Sequence, residues 1–117
     1  MAFAQRFRIH TDREFRDLFT RGQSARCSFA FVKFCSQLRA HPRIAVVVGK
    51  KVSKLSVVRH RIKRRIIAAL QDAGVEHLPY DMIWSIQKDV TGISFSDILR
   101  DVKNVCAFMS RTSVKIK

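Results

Sequence analysis

The sequence predicts a mixed α+β sandwich with elements in the order α-β-β-α-β-α around a central sheet. Three patterns carry that prediction. Residues 43–49, RIAVVVG, are a β-branched run of strand length. Residues 57–72 place Val58, Ile62, Ile66, Ala69 and Leu70 on one helical face at about 100° per residue. YDMIWSIQ (80–87) reads as a strand again, which puts the helix in a βαβ crossover. At 117 residues the chain suits one domain, 1–117, with a frayed tail from about 110 onward.

The remaining elements follow in chain order. The start, MAFAQRFRIH, is basic and runs into a helix signal, so it reads as part of the domain. Thr11 to Glu14 form a capping box, in which Thr11 accepts from the Glu14 amide and the Glu14 carboxylate reaches back. Phe15, Leu18 and Phe19 then recur at helical spacing, and Gly22 supplies a stop, giving a helix over about 12–21. RCSFAFVKF (26–34) reads as one central strand, apolar on both faces. Pro42 withholds a ladder donor in the turn SQLRAHP. Gly74 and Pro79 end the basic helix. Ser94 and Ser96 are capping candidates for a last helix, whose Phe95, Ile98, Leu99, Val102, Val105 and Cys106 would pack on the sheet.

Composition excludes several classes. No apolar run approaches the roughly 18 residues that span a bilayer, and no signal-peptide pattern appears. Cys27, Cys35 and Cys106 are odd in number without C-x-x-C spacing, which predicts reduced, partly buried thiols in a cytosolic protein. His10, His41, His60 and His77 lack metal-ligand spacing, so no metal site built from side chains alone is expected.

Charge is the informative quantity. The formal net charge is +14, and no acid lies between Asp17 and Asp72, where thirteen Lys or Arg fall. The rest of the chain is almost neutral. A block of one sign folded into a domain attracts polyanions, with nucleic acid the leading partner and anionic membrane second. Around the basic helix, Arg59, Arg61, Lys63, Arg64 and Arg65 flank or oppose the apolar stripe, and none needs to enter the core. With Lys50, Lys51 and Lys54 at the helix entrance they make one phosphate-binding patch.

Phe15 and Phe19, with Phe29, Phe31 and Phe34 on the adjoining strand, form a second constellation. Spacing alone reads the helical pair as core, although aromatics beside a cationic groove also suit stacking of unpaired bases. No carboxylate pair, Ser/His/Asp set or phosphate-cradling glycine loop is visible. His60, flanked by arginines, is a poor general base and reads as an RNA contact or an exposed side chain.

The stretch HPRIAVVVGKKVSKLSVVRHRIKRRIIAAL resembles the signature region of the protein subunit of bacterial ribonuclease P. That family shows a strand, two lysines, a connector and then R-N-R-x-K-R-x-x-R on a helix. EFRDLF with a glycine soon after resembles its first helix, and the similarity spans roughly residues 6 to 109. The resemblance assigns Lys50, Lys51, Arg59, Arg61, Lys63 and Arg64 to contacts with the catalytic RNA; Lys54 and Arg65 join them from the charge patch, and His60 as a hydrogen-bond donor. Phe15, Phe19 and a strand residue would line the cleft for the 5′ leader of precursor tRNA. Phe31 is the assigned strand residue, with Val32 open as an alternative register. His60 stands where the family has Asn, and Ile67 where it has the closing Arg. Gly49 replaces the usual small polar residue before the lysines.

The resemblance further implies a left-handed βαβ crossover, against the usual right-handed rule, and catalysis by a large RNA with Mg2+ held mainly by that RNA. No protein-bound organic cofactor, catalytic side chain or obligate protein partner is expected, and the implied location is the bacterial cytoplasm. Two other readings use the same patch. One is a non-catalytic ribosomal or other RNA-structuring protein. The other is a duplex-DNA binder, which lacks the helix-turn-helix pair because a strand precedes the basic helix.

Overall fold

A computed structural model describes residues 12–37 and 41–112, apart from the side chains of Asp12, Glu14 and Thr112. Its elements are α1 (Asp12–Arg21), β1 (Gln23–Arg26), β2 (Ala30–Ser36), β3 (Ile44–Val48), α2 (Ser56–Asp72), a 3-10 turn (Val75–His77), β4 (Tyr80–Ile86) and α3 (Phe95–Thr112). One four-stranded sheet holds them in the order β1-β2-β4-β3. β2 runs antiparallel to β1 and to β4, whereas β3 and β4 are parallel and α2 is their crossover.

Register sorts the sheet into two faces. Ala25, Val32, Trp84 and Val46 form one cross-sheet row, with Phe34, Met82 and Ile44 in the next. All of these are buried, and the main core joins them to Ile62, Ile66 and Leu70 of α2 and to Ile98, Val102, Val105 and Met109 of α3. Each such fully buried side chain contributes roughly 1.5–3 kcal/mol of transfer free energy. The opposite face carries Phe31, Ser85 and Val47 in one row and Lys33, Ile83 and Ala45 in the next. α1 lies on this side against β2 and β4. Its Leu18 is buried, as is Ile83, and neither belongs to the main core. Among the described residues α1, at 10 residues long, covers only part of this face and leaves a cleft beside it, where Phe19 of α1 and Val47 of the sheet stay exposed.

The strand read over 26–34 is two strands. Cys27 N–H donates to the Ala30 carbonyl at 3.0 Å, closing a hairpin between β1 and β2. Phe29 swings from that turn into the core with no exposed surface, and its carbonyl accepts from Gln87 N–H at 2.8 Å. β1 has the sequence QSAR and buries only Ala25, so neither β propensity nor alternation announces it. Its ladder to β2 is what makes it a strand.

Helix ends follow local chemistry. Gly22 N–H donates to the Leu18 carbonyl at 2.8 Å, and a β-carbon at Gly22 would stand 2.6 Å from that oxygen. Only glycine fits where α1 turns into β1. Gly74 adopts φ 76° after α2, the left-handed conformation that ends many helices. Ser94, rather than Ser96, caps α3, with its Oγ accepting from Asp97 N–H at 3.2 Å. α3 continues through Ser110, Arg111 and Thr112, so the first three residues of the expected tail are helical. Residues 113–117 and the Thr11–Glu14 capping pair lie outside what is described. In α2 the buried stripe is wider than the spacing predicts: Ile67 is also buried, whereas Val58 is half-buried.

Candidate nucleic-acid interface

α2 presents its polar side to solvent along a continuous ridge. His60, Arg61, Lys63 and Arg64 are exposed, as are Lys50, Lys51 and Lys54 in the connection that enters the helix. The sequence-predicted cations thus all lie on α2 or in the connection that enters it, and two of them are held by hydrogen bonds. Arg59 is half-buried and its Nη1 donates to the carbonyls of Ser53 and Lys54 at 2.9 and 3.0 Å. It ties down the turn that carries the lysines. Arg65 is half-buried too; its Nη2 donates to the Ile93 carbonyl, and its Nε is buried without a partner among the described residues. Arg65 stays out of the core, as the spacing predicts, but it is braced rather than free: it lies beside Val58 on the helix surface and bridges to the segment before α3.

An acid does approach the ridge from outside the basic block. The Asp89 carboxyl is held below the usual carboxylate range by the Thr91 hydroxyl and amide, with the charge of Arg61 adding to the effect. Thr91 Oγ1 and N–H donate to Asp89 Oδ1 at 2.7 and 2.8 Å. Ile67, where the resemblance places an arginine, is 6% exposed and sits in the core. An aliphatic side chain there is explained by packing.

The second surface is the open cleft beside α1. The rings of Phe15 and Phe19 are stacked, 6.4 Å between centroids and 8° apart in plane. Phe15 is half-buried and Phe19 is 45% exposed, so Leu18 is the α1 residue that serves as core and the Phe pair lines the cleft. Phe31 faces the same side, whereas Val32 has no exposed surface and belongs to the opposite face. Strand parity, which the sequence left open, thus selects Phe31. Phe29 and Phe34 leave the aromatic constellation for the core, where Phe34 meets Tyr80 edge-on at 5.8 Å.

Two cations missed from the sequence complete the cleft. Lys33 Nζ stands 5.7 Å from the Phe19 ring and 5.8 Å from the Phe31 ring, linking helix to strand. Arg26 Cζ lies 6.0 Å from the Phe31 ring. The signal for Lys33 was its position two residues after Phe31, which puts both side chains on one face of a strand. A groove of about 340 Å³ continues past Arg26 and Phe31 to Cys27, Ser28, Ala30 and Gln87. Ser28 Oγ donates to Asp101 Oδ2 at 2.8 Å, joining the hairpin to α3.

Cys27, Cys35 and Cys106 are free and half-buried. Burial raises the thiol pKa of Cys27 and pushes that of Cys106 up to about 11, the direction expected of unreactive thiols. Among the described residues no group of three or more His, Cys, Asp or Glu could hold a metal ion, and no helix is long and apolar enough to cross a membrane. β3, not a helix, precedes α2, so the helix-turn-helix arrangement is absent among the described residues.

A cationic helix ridge thus lies on one side of an α+β sheet and an aromatic, lysine-bearing cleft on the other. The family profile for ribonuclease P matches residues 3–110 of the sequence. The chain belongs to the ribonuclease P protein family. It is 33% identical over 102 residues to the ribonuclease P protein component of Clostridium kluyveri, an alignment covering 85% of this chain and 90% of that protein. It is 36% identical over 74 residues to the component from Lactobacillus johnsonii, covering 62% of this chain and 61% of the relative's own length. A solved RNase P protein from Staphylococcus aureus matches the fold with a TM-score of 0.72 at 23% identity, covering 100% of both chains. These similarities do not favour the ribosomal or RNA-structuring alternative.

Proposed function

We propose that this chain acts as the RNA-binding protein subunit of bacterial ribonuclease P, assisting a catalytic RNA in the endonucleolytic removal of 5′ leaders from precursor tRNA. The observation that carries the reading is the division of surfaces. The exposed ridge of Arg61, Lys63 and Arg64, with Lys50, Lys51 and Lys54, is shaped for the phosphates of a large folded RNA. The Phe15, Phe19, Phe31 and Lys33 cleft is shaped for a short unpaired strand, with bases on rings and phosphates near the ammonium.

In this reading the chemistry belongs to the RNA, and Mg2+ is held by its phosphates. The side chains act on binding: ridge cations screen phosphate repulsion in the RNA, and the cleft holds the leader. The protein works in the bacterial cytoplasm, where precursor tRNA is found. The test mixes the purified chain with a bacterial ribonuclease P RNA and labelled precursor tRNA at low magnesium. Cleavage faster than by the RNA alone is expected; an unchanged rate would refute the proposal.

A further inference from the structure

The connection into α2 carries a feature that phosphate binding leaves unexplained. Leu55 and Val57 are 64% and 60% exposed, more than any other large apolar side chain among the described residues. They are not overflow from a crowded core, because Val52 and Val58 of the same connection turn inward and pack against it. Nor is the tip loose. Leu55 N–H donates to Ser53 Oγ at 3.2 Å, while Arg59 clamps the Ser53 and Lys54 carbonyls at 2.9 and 3.0 Å. The outward pair is therefore held in place before any partner arrives, which lowers the entropic cost of binding through it.

Its surroundings identify the occupant. Val57 shares a helix face with His60, Arg61 and Arg64 at i+3, i+4 and i+7, all exposed. Lys50, Lys51 and Lys54 are exposed in the turn that leads up to Leu55. An apolar platform set inside a cationic ridge suits a partner that presents a flat apolar surface and anionic groups within a few ångströms of each other. An unpaired nucleotide does so, since its base offers a ring face and its neighbours offer phosphates. A second copy of this chain would bring like charges together and is disfavoured.

We infer that Leu55 and Val57 form a packing platform for an unpaired base of the partner RNA, with the flanking Lys and Arg side chains taking the adjoining phosphates. This rests on the RNA-subunit reading above. It adds two apolar residues to an interface otherwise described by charge alone, and it selects unpaired over duplex RNA at the entrance to α2.

The test compares wild type with the Leu55→Ser/Val57→Ser double variant for binding to a bacterial ribonuclease P RNA across a salt series. Both residues are exposed, so the melting temperature should match wild type and report intact folding. The expected result is affinity weakened about tenfold at every salt concentration, the scale of one apolar side chain's burial lost from the interface. The slope of log affinity against log salt should stay the same, because no cation is removed. Affinity within twofold of wild type, or a changed slope with unchanged affinity at low salt, would overturn the platform while leaving the subunit reading intact. Failure of the wild-type chain to bind the RNA would sink the subunit reading first. Sedimentation with phosphatidylserine vesicles that is lost in the double variant would assign the pair to a membrane surface instead and overturn the inference.

Discussion

Arg64 and Arg65 are adjacent in sequence, yet the structure predicts opposite consequences for the same substitution. Arg64 is exposed on the ridge, whereas Arg65 is half-buried and donates to the Ile93 carbonyl in the segment leading to α3. Arg65→Ala removes a hydrogen bond from a charged donor and leaves a carbonyl to find a new partner, a loss of about 1.5–3 kcal/mol. For a domain of this size each kcal/mol shifts Tm by roughly 3–6 °C, so the variant should melt about 5–15 °C lower. Its RNA affinity should keep the wild-type dependence on salt. On the proposed reading Arg64→Ala removes a phosphate partner, and it breaks no hydrogen bond to the described residues. The slope of log affinity against log salt should flatten by about 0.7–0.9, with stability changed by no more than about 0.5 kcal/mol. Filter binding to a bacterial ribonuclease P RNA over a salt series, with thermal melting by circular dichroism, reads both quantities. The reasoning is refuted if Arg65→Ala keeps the wild-type Tm and loses slope as Arg64→Ala does.

Three further outcomes follow from the packing. Phe19→Ala should fold, since that ring is 45% exposed, and should weaken precursor tRNA binding by roughly 5- to 150-fold while sparing mature tRNA; equal loss for both substrates in a binding titration would return Phe19 to a structural role. Gly22→Ala forces a β-carbon to 2.6 Å from the Leu18 carbonyl and 3.1 Å from that of Phe34. Urea unfolding should show a loss of about 1–3 kcal/mol, against no significant change for Gly92→Ala, which meets nothing within 4 Å. Burial raises the Cys106 thiol from 9.0 to about 11, so the folded state favours the neutral form. That contribution is complete below about pH 9 and is lost as pH rises toward 11. Wild type should lose about 1–2 kcal/mol more than Cys106→Ala over that range, after allowing for partial solvent screening, and parallel stability curves would contradict the assignment.

Much of this molecule is legible in one dimension, and the exceptions share a cause. α2 spans Ser56–Asp72 where spacing predicts 57–72, and α1 spans Asp12–Arg21 where spacing predicts about 12–21. The apolar spacing together with the flanking glycine and proline stops is enough to bound both helices. β1 was invisible because a four-residue edge strand with one buried alanine carries no pattern of its own. Ile67 lies outside the expected stripe because α2 packs against both the sheet and α3, which widens its buried arc. Arg65 reads as one more cation on a cationic helix, and nothing near it in sequence points to Ile93, 28 residues away.

The cleft shows the same division. Phe15 and Phe19 could be placed on one helix face, but helical spacing alone pointed to the core. Exposure depends on how much sheet a 10-residue helix can cover, and that is a property of the packed layers. Lys33 gains its place between two rings only once β2 and α1 face each other across the cleft.

Charge segregation, the crossover helix and the family signature were determined by the sequence alone, because each is a local pattern of residue types at fixed spacing. Which aromatics line a cleft, which arginines brace the fold and which apolar residues stand in solvent were decided by tertiary structure. Those outcomes depend on contacts between residues far apart in the chain, and a side chain's environment is set by what folds against it.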